Sequence, residues 1–230
     1  MLRLPAEALH TNTLTYTGIV DEVLAFIRGW SETISGGMGV QDWSHQQLVA
    51  RIAKAASNRD LAEVVRDQFD ADGVRSCGCV LAASEDLLLL HRLSDRIDFD
   101  GYEVLKVKDV THFNTDFDRK QFYEKALHAK SIVPSDAPDV SLSSMRHLLE
   151  SVDAKFPLIV IEREVRTPDE CEIGRIRLLT DMRYALKWLS PDARWEDDGQ
   201  TYAIEDITRV TFDGEYENTL ALVAGIIGQD

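Results

Sequence analysis

The chain has 230 residues, 44% of them hydrophobic and 28% charged, which suits one large or two ordinary packed domains and excludes a largely disordered chain. Its net charge of −15, from 40 acidic against 25 basic side chains, repels nucleic-acid phosphates unless the basic residues gather on one face, and no such gathering is seen. Three cysteines, Cys77, Cys79 and Cys171, are too few and too odd in number for a secreted disulfide scaffold.

The opening MLRLPAEALHTNTL lacks the apolar run and cleavage pattern of a signal peptide. No stretch approaches the roughly 18 apolar residues of a membrane span, so a cytoplasmic location is expected. Ile19, Val20, Val23, Leu24 and Ile27 then recur at helical spacing, with Thr17 or Asp21 able to cap the helix they predict. Ser35-Gly36-Gly37-Met38-Gly39 breaks the pattern as a connector. Residues 1–40 are therefore read as an N-terminal helical extension.

From there the chain says the same thing twice, about 97 positions apart. A first unit, 41–130, opens on a helix capped by Ser44 with Leu48, Val49, Ile52, Ala55 and Ala56 as its apolar stripe. A second unit, 141–230, repeats it from Ser141 with Leu142, Met145, Leu148 and Leu149. A strand follows in each, Leu61 to Phe69 and Leu158 to Val165, with Val64 matched to Val160. Next come strands opening on Gly78 and Gly174, then strands carrying Leu88 and Leu90, or Tyr184 and Leu186. Acidic loops, Asp95 to Asp100 and Asp192 to Asp198, lead through Gly101 or Gly199 to a fourth strand. Asp109-Val110-Thr111 and Asp206-Ile207-Thr208 announce a short fifth one. Each unit closes on a helix: Asp116 to Lys130 with Phe122, Tyr123, Ala126 and Leu127, and Glu215 to Ile227 with Tyr216, Leu220, Val223, Ala224 and Ile227. Residues 131–140, with Pro134 and Pro138, form the linker.

A helix and five short, bent strands predict an α+β, mainly β chain, built as two tandem five-stranded small barrels plus the extra helix. The run Gly174-Arg175-Ile176 with Thr180-Asp181-Met182-Arg183-Tyr184-Ala185-Leu186 resembles the first motif of Sm-like, SH3-type barrels, and Gly78, Val80, Asp86 and Leu88 to Leu90 carry it more loosely. The likeness covers about 70 residues per unit and extends to bacterial conserved-hypothetical proteins with no assigned activity. In RNA-binding Sm-like proteins an asparagine follows the turn aspartate and an Arg-Gly pair precedes the last strand. Here Arg183 or Tyr184, and Leu87 or Leu88, replace the first, while Lys108-Asp109 and Glu205-Asp206 replace the second, which disfavours an RNA ligand.

No hydrolase elbow, phosphate loop, zincin motif or dinucleotide fingerprint occurs, so no catalytic residue, metal or cofactor is assigned. Glu196-Asp197-Asp198-Gly199 lacks the spacing of a calcium loop, and Cys77-Gly78-Cys79 lacks two further zinc ligands. Asp109, Thr111, Asp206, Thr208, Gly78 and Gly174 are read as barrel-building residues, the aspartates accepting backbone amides at the strand–turn junctions. Binding candidates are Trp195 and Trp188, which flank a turn in the second unit, with the acids Asp197, Asp198, Asp98 and Asp100. The resulting expectation is a non-enzymatic protein-interaction module that self-associates or binds a partner protein. An RNA-binding regulator and an immunity-type inhibitor of a basic toxin are the alternatives.

Overall fold

The computed structural model describes residues 43–69, 75–168, 170–196 and 199–226. The helix expected between Thr17 and Trp30 lies outside them, as do Asp197 and Asp198. The described chain is mainly antiparallel sheet with four helices, in the order α1 (His45–Asn58), β1 (Leu61–Val65), β2 (Arg75–Ala83), β3 (Leu87–Leu93), β4 (Phe99–Lys106), β5 (His112–Asn114) and α2 (Lys120–Ala129). Then come α3 (Met145–Asp153), β6 (Ile159–Glu162), β7 (Cys171–Leu179), β8 (Arg183–Leu189), β9 (Trp195–Glu196), β10 (Tyr202–Ala203), β11 (Arg209–Phe212) and α4 (Glu215–Val223). Single 3₁₀ turns, Val107–Asp109 and Ile204–Asp206, precede β5 and β11.

All the strands join one sheet, ordered β10-β8-β7-β6-β11-β4-β3-β2-β1-β5, with β9 beside β8. The first half of the chain thus reads β4-β3-β2-β1-β5 and the second β10-β8-β7-β6-β11, the same sequence of strand types. They meet head to tail where β11 pairs with β4, Val210 opposite Val104 and Phe212 opposite Tyr102. This path does not close on itself.

Local chemistry explains why each half bends. Gly78 and Gly174 sit where the next strand crosses so closely that a Cβ would strike a backbone carbonyl, of His91 or of Lys187. Glycine admits that approach because it has no side chain. Just beyond, the ladders slip by one residue, between Val80 and Ala82 in β2 and between Ile176 and Leu178 in β7, and such bulges sharpen the bend. Ser84 and Thr180 then turn the chain, their hydroxyls accepting from the amides of Leu87 and Arg183 at 3.0 Å in each case.

Helix α1 buries Leu48, Ile52 and Ala55 against Val80, Leu88, Leu90 and Phe113, as its stripe predicts. Helix α3 buries Met145, Leu148, Leu149 and Val152 in a larger core that also takes Leu87, Leu89 and Val104 from the first half. That shared core is why the halves form one body. Helix α2 covers Leu61 and Cys79 with Leu127, and α4 covers Leu158 and Leu189 with Leu220 and Ala221.

Several boundaries differ from the sequence reading. Helix α3 is capped by Ser144, which accepts from the amide of His147, because Ser141 lies a turn earlier and its own amide donates to the Ser151 hydroxyl. β1 and β6 stop at Val65 and Glu162, since Arg66 to Phe69 and Glu164 to Arg166 already turn. Pairing aligns Ala62 with Ile159, each opposite its glycine, so Val64 corresponds to Ile161 and not Val160. The fourth strand of the second half is split into β9 and β10 where the first half has the unbroken β4.

Candidate functional site

The junction of the halves is lined by charge. Arg66, 1% exposed, follows β1 and reaches Glu164 with both terminal nitrogens, at 2.7 and 2.8 Å. Arg209 on β11 reaches Glu103 on β4 at 3.2 Å, Glu162 at 3.6 Å and Glu164 at 3.1 Å, while Ser76 on β2 donates to Glu103 at 3.0 Å. Burial alone would raise the Glu164 carboxyl, but the bonds from Arg66 and the charge of Arg209 outweigh it and hold it below the ordinary value. Burial wins at Glu162, which is raised despite Arg209. Burial also works against charge on Arg209, yet Glu103, Glu162 and Glu164 hold its guanidinium above the ordinary value. Guanidinium geometry suits such a seam, because one planar group satisfies several carboxylates at once. No local pattern announces these residues, which come from separate stretches of chain.

The repeated Asp-x-Thr tripeptides work through the threonine. Thr111 donates its amide to the Val65 carbonyl at 2.8 Å and its hydroxyl to the same oxygen at 3.0 Å, and accepts from the Asp67 amide at 3.1 Å. Thr208 repeats all three contacts with the Glu162 carbonyl, at 2.9 and 3.1 Å, and the Glu164 amide, at 3.1 Å. The aspartates stand beside this stitch. Asp206 takes an ion pair from Arg166 at 3.1 Å, and burial raises the Asp109 carboxyl against the pull of Lys108 and Lys106. In both copies the threonine hydroxyl joins the two strand ends, donating to one and accepting from the other.

Of the binding candidates, Asp100 caps α4, its carboxylate accepting the Glu215 amide at 2.7 Å and a second bond from Arg92 at 3.2 Å. Asp98 accepts from the Ser94 hydroxyl within its own loop. Trp188 is half-buried against the shared core, and its indole N–H finds no acceptor among the described residues. Trp195 folds back on the α4 cluster, with the Lys187 ammonium 4.9 Å over its ring.

The linker is docked on the first half. Arg59, in left-handed conformation at the end of α1, reaches the carbonyls of Pro134 and Ser135 and pairs with Asp136 at 3.1 Å. The Ser135 amide donates to Nδ1 of His91 at 3.2 Å, so the ring carries its proton on Nε2. His91 lies between Phe99 and Tyr102, at 4.5 and 4.9 Å. Burial, then the Arg59 charge, push it down to about 4 against Asp213 and Asp100.

The cysteines offer no activated nucleophile. Burial and then Glu63 push the Cys77 thiol up to about 12, burial raises Cys79, and partial burial with Glu162 and Glu217 raises Cys171. Among the described residues no group of three or more His, Cys, Asp or Glu is placed to hold a metal ion, and no helix is long and apolar enough to cross a membrane.

The feature that stands out is the outward face of α4. Of the stripe expected to pack, Leu220 is buried and Ala224 packs beside it, but Tyr216 and Val223 are not covered, and Glu217 and Ala221 are buried in their place. Tyr216, Leu222 and Val223 are left 54%, 62% and 70% exposed. Helix α2, in the same place on the first half, turns Gln121, Glu124, Lys125 and His128 outward with the single large apolar residue Phe122. Tyr216, Leu220 and Val223 share one side of α4 by their spacing, but packing turns the helix so that Leu220 meets the sheet together with Glu217 and Ala221. Compared with family models, curated proteins and solved structures, the chain finds no match.

Proposed function

We propose that this chain is a non-enzymatic protein-interaction module, built as a tandem pair of small-barrel units of the Sm-like, SH3-type kind. The recurring strand order, the bulge after each β-strand glycine and the doubled threonine stitch support the tandem reading. The observation that carries the interaction reading is the apolar outward face of α4, because a surface helix normally turns charge to water. The carboxylates of the seam serve the fold, each facing a guanidinium, and burial keeps the Cys77 thiol protonated.

The test is affinity capture from the native cells with the wild-type chain and with the double substitution Leu222→Ser and Val223→Ser. A protein retained by the wild type and lost with the variant supports the module. Identical capture by both, with the chain running as a monomer on size exclusion, removes it. An RNA regulator would instead hold short RNA on a filter at about 50 mM salt, where phosphate contacts are strongest.

A further inference from the structure

We propose that linker segment 133–138 is a latch, closed on neutral His91 and on Arg59 and released, with the sheet still folded, when the His91 ring takes up a proton. The segment is suspended between two fixed points. Ile132 packs on the cluster of Leu61, Cys79 and Leu127, and Val140 packs on the shared core, where Lys155 also holds Asp139. Between them the chain carries little apolar surface to bury, and its valine, Val133, is 79% exposed. A stretch held by a few polar contacts and little burial is one that opens locally.

Protonation defeats both anchors at once. Neutral His91 keeps its proton on Nε2 and spends the Nδ1 lone pair on the Ser135 amide. A proton from solvent enters the ring at Nδ1, and in the cation both nitrogens donate, so the Ser135 bond breaks. The second anchor is Arg59, which reaches the carbonyls of Pro134 and Ser135 and the Asp136 carboxylate. Its charge disfavours the His91 cation, so the protonated ring in turn repels the group that grips the linker. The Asp136 carboxylate is 99% exposed, and its pair with Arg59 contributes little by itself. Asp213 and Asp100 also face the ring and favour the cation, but neither holds the linker. The Cys79 thiol, opposite His91 on β2, and the Tyr102 phenol on β4 are both raised by burial and stay neutral. Ile132 and Val140 are held by apolar packing that carries no charge, which confines the opening to the segment between them.

The experiment uses the full chain, labelled with nitrogen-15, and follows its amides and histidine rings by NMR from about pH 7 to about pH 3.5. The Ser135 and Asp136 amides are expected to move to unstructured positions with the same midpoint as the His91 ring, at about 4. The amides of Val104 and Val210, where β4 meets β11, are expected to stay in place. His91→Gln offers Ser135 an acceptor that does not titrate, and its linker is expected to remain docked throughout. Ser135→Pro removes the amide and opens the latch at neutral pH. Coupling is reciprocal, so the His91 midpoint is then expected to rise by about one unit or more, toward its ordinary 6.5. Unchanged Val104 and Val210 amides at neutral pH show that each variant folds, and the Ser135→Pro titration decides alone if His91→Gln does not. Linker amides that hold their positions while His91 titrates, or linker and sheet signals lost together, overturn the proposal. So does release of the His91→Gln linker at the same midpoint, or a His91 midpoint unmoved by Ser135→Pro.

Discussion

Arg66 and Glu164, one from each half of the chain, face each other in a two-point ion pair with the guanidinium 1% exposed. Glu164 also meets Arg209, and its neighbour in chain, Arg163, pairs with Glu172 at 2.7 Å instead. A buried pair of this kind contributes little over an apolar replacement, but removing one partner strands the other. Arg66→Ala is therefore expected to lower unfolding free energy by about 3 kcal/mol in urea titration. The double change Arg66→Met with Glu164→Leu is expected to recover much of that loss. Equal losses for the single and double variants would contradict the account.

The threonine stitch predicts an asymmetry inside each tripeptide. Thr208→Val removes a hydroxyl that donates once and accepts once in a buried site, a loss of about 2 kcal/mol. Thr111→Val is expected to cost about 1–2 kcal/mol for the same reason. Asp206→Asn breaks only a partly exposed ion pair and is expected to change stability by less than about 1 kcal/mol. Thermal or urea unfolding of the variants reads the order, and a larger loss for the aspartate would reverse the assignment.

Gly174→Ala and Gly78→Ala place a methyl group against the carbonyls of Lys187 and His91, backbone atoms held by the sheet. Each is expected to cost at least about 2 kcal/mol, with loss of near-ultraviolet circular dichroism if the bend opens. Gly199→Ala meets nothing within 4 Å and serves as the comparison for a glycine with positive φ alone.

His91 sets a pH dependence. Its folded value is pushed down to about 4 from an ordinary 6.5, so between those limits the unfolded chain binds a proton that the folded chain does not. Stability therefore falls as pH falls through that window, by up to about 3 kcal/mol, and is fully present above it. Urea titrations at intervals from about pH 7 to about pH 4 measure the slope, and His91→Gln is expected to flatten it. The same protonation would displace the Ser135 amide from Nδ1, so amide exchange of the linker should rise with it.

Much of the fold was legible because it is written in short-range periodicity. The apolar stripe of α1, the paired glycines, the apolar runs of β3 and β8 and the repeated Asp-x-Thr each depend on residues within a few positions of one another. Tyr216 and Val223 were misread for the same reason: their spacing with Leu220 marks an apolar side, but tertiary packing decides which side meets the sheet. The acidic loop was another limit, since Asp100 looks like a solvated loop acid until the fold brings the α4 amide to it.

By itself the sequence determined a mainly antiparallel chain, its acidic character, the places where it must turn and the threonines that recur at the seams. Tertiary structure alone decided that β4 pairs with β11, and with it the meeting of Arg66, Glu103, Glu162, Glu164 and Arg209. Such partners lie far apart in the chain, and a carboxylate carries no local mark of the guanidinium it will meet. The same holds for the uncovered side of α4, which exists only once Glu217, Leu220 and Ala221 have been claimed by the sheet.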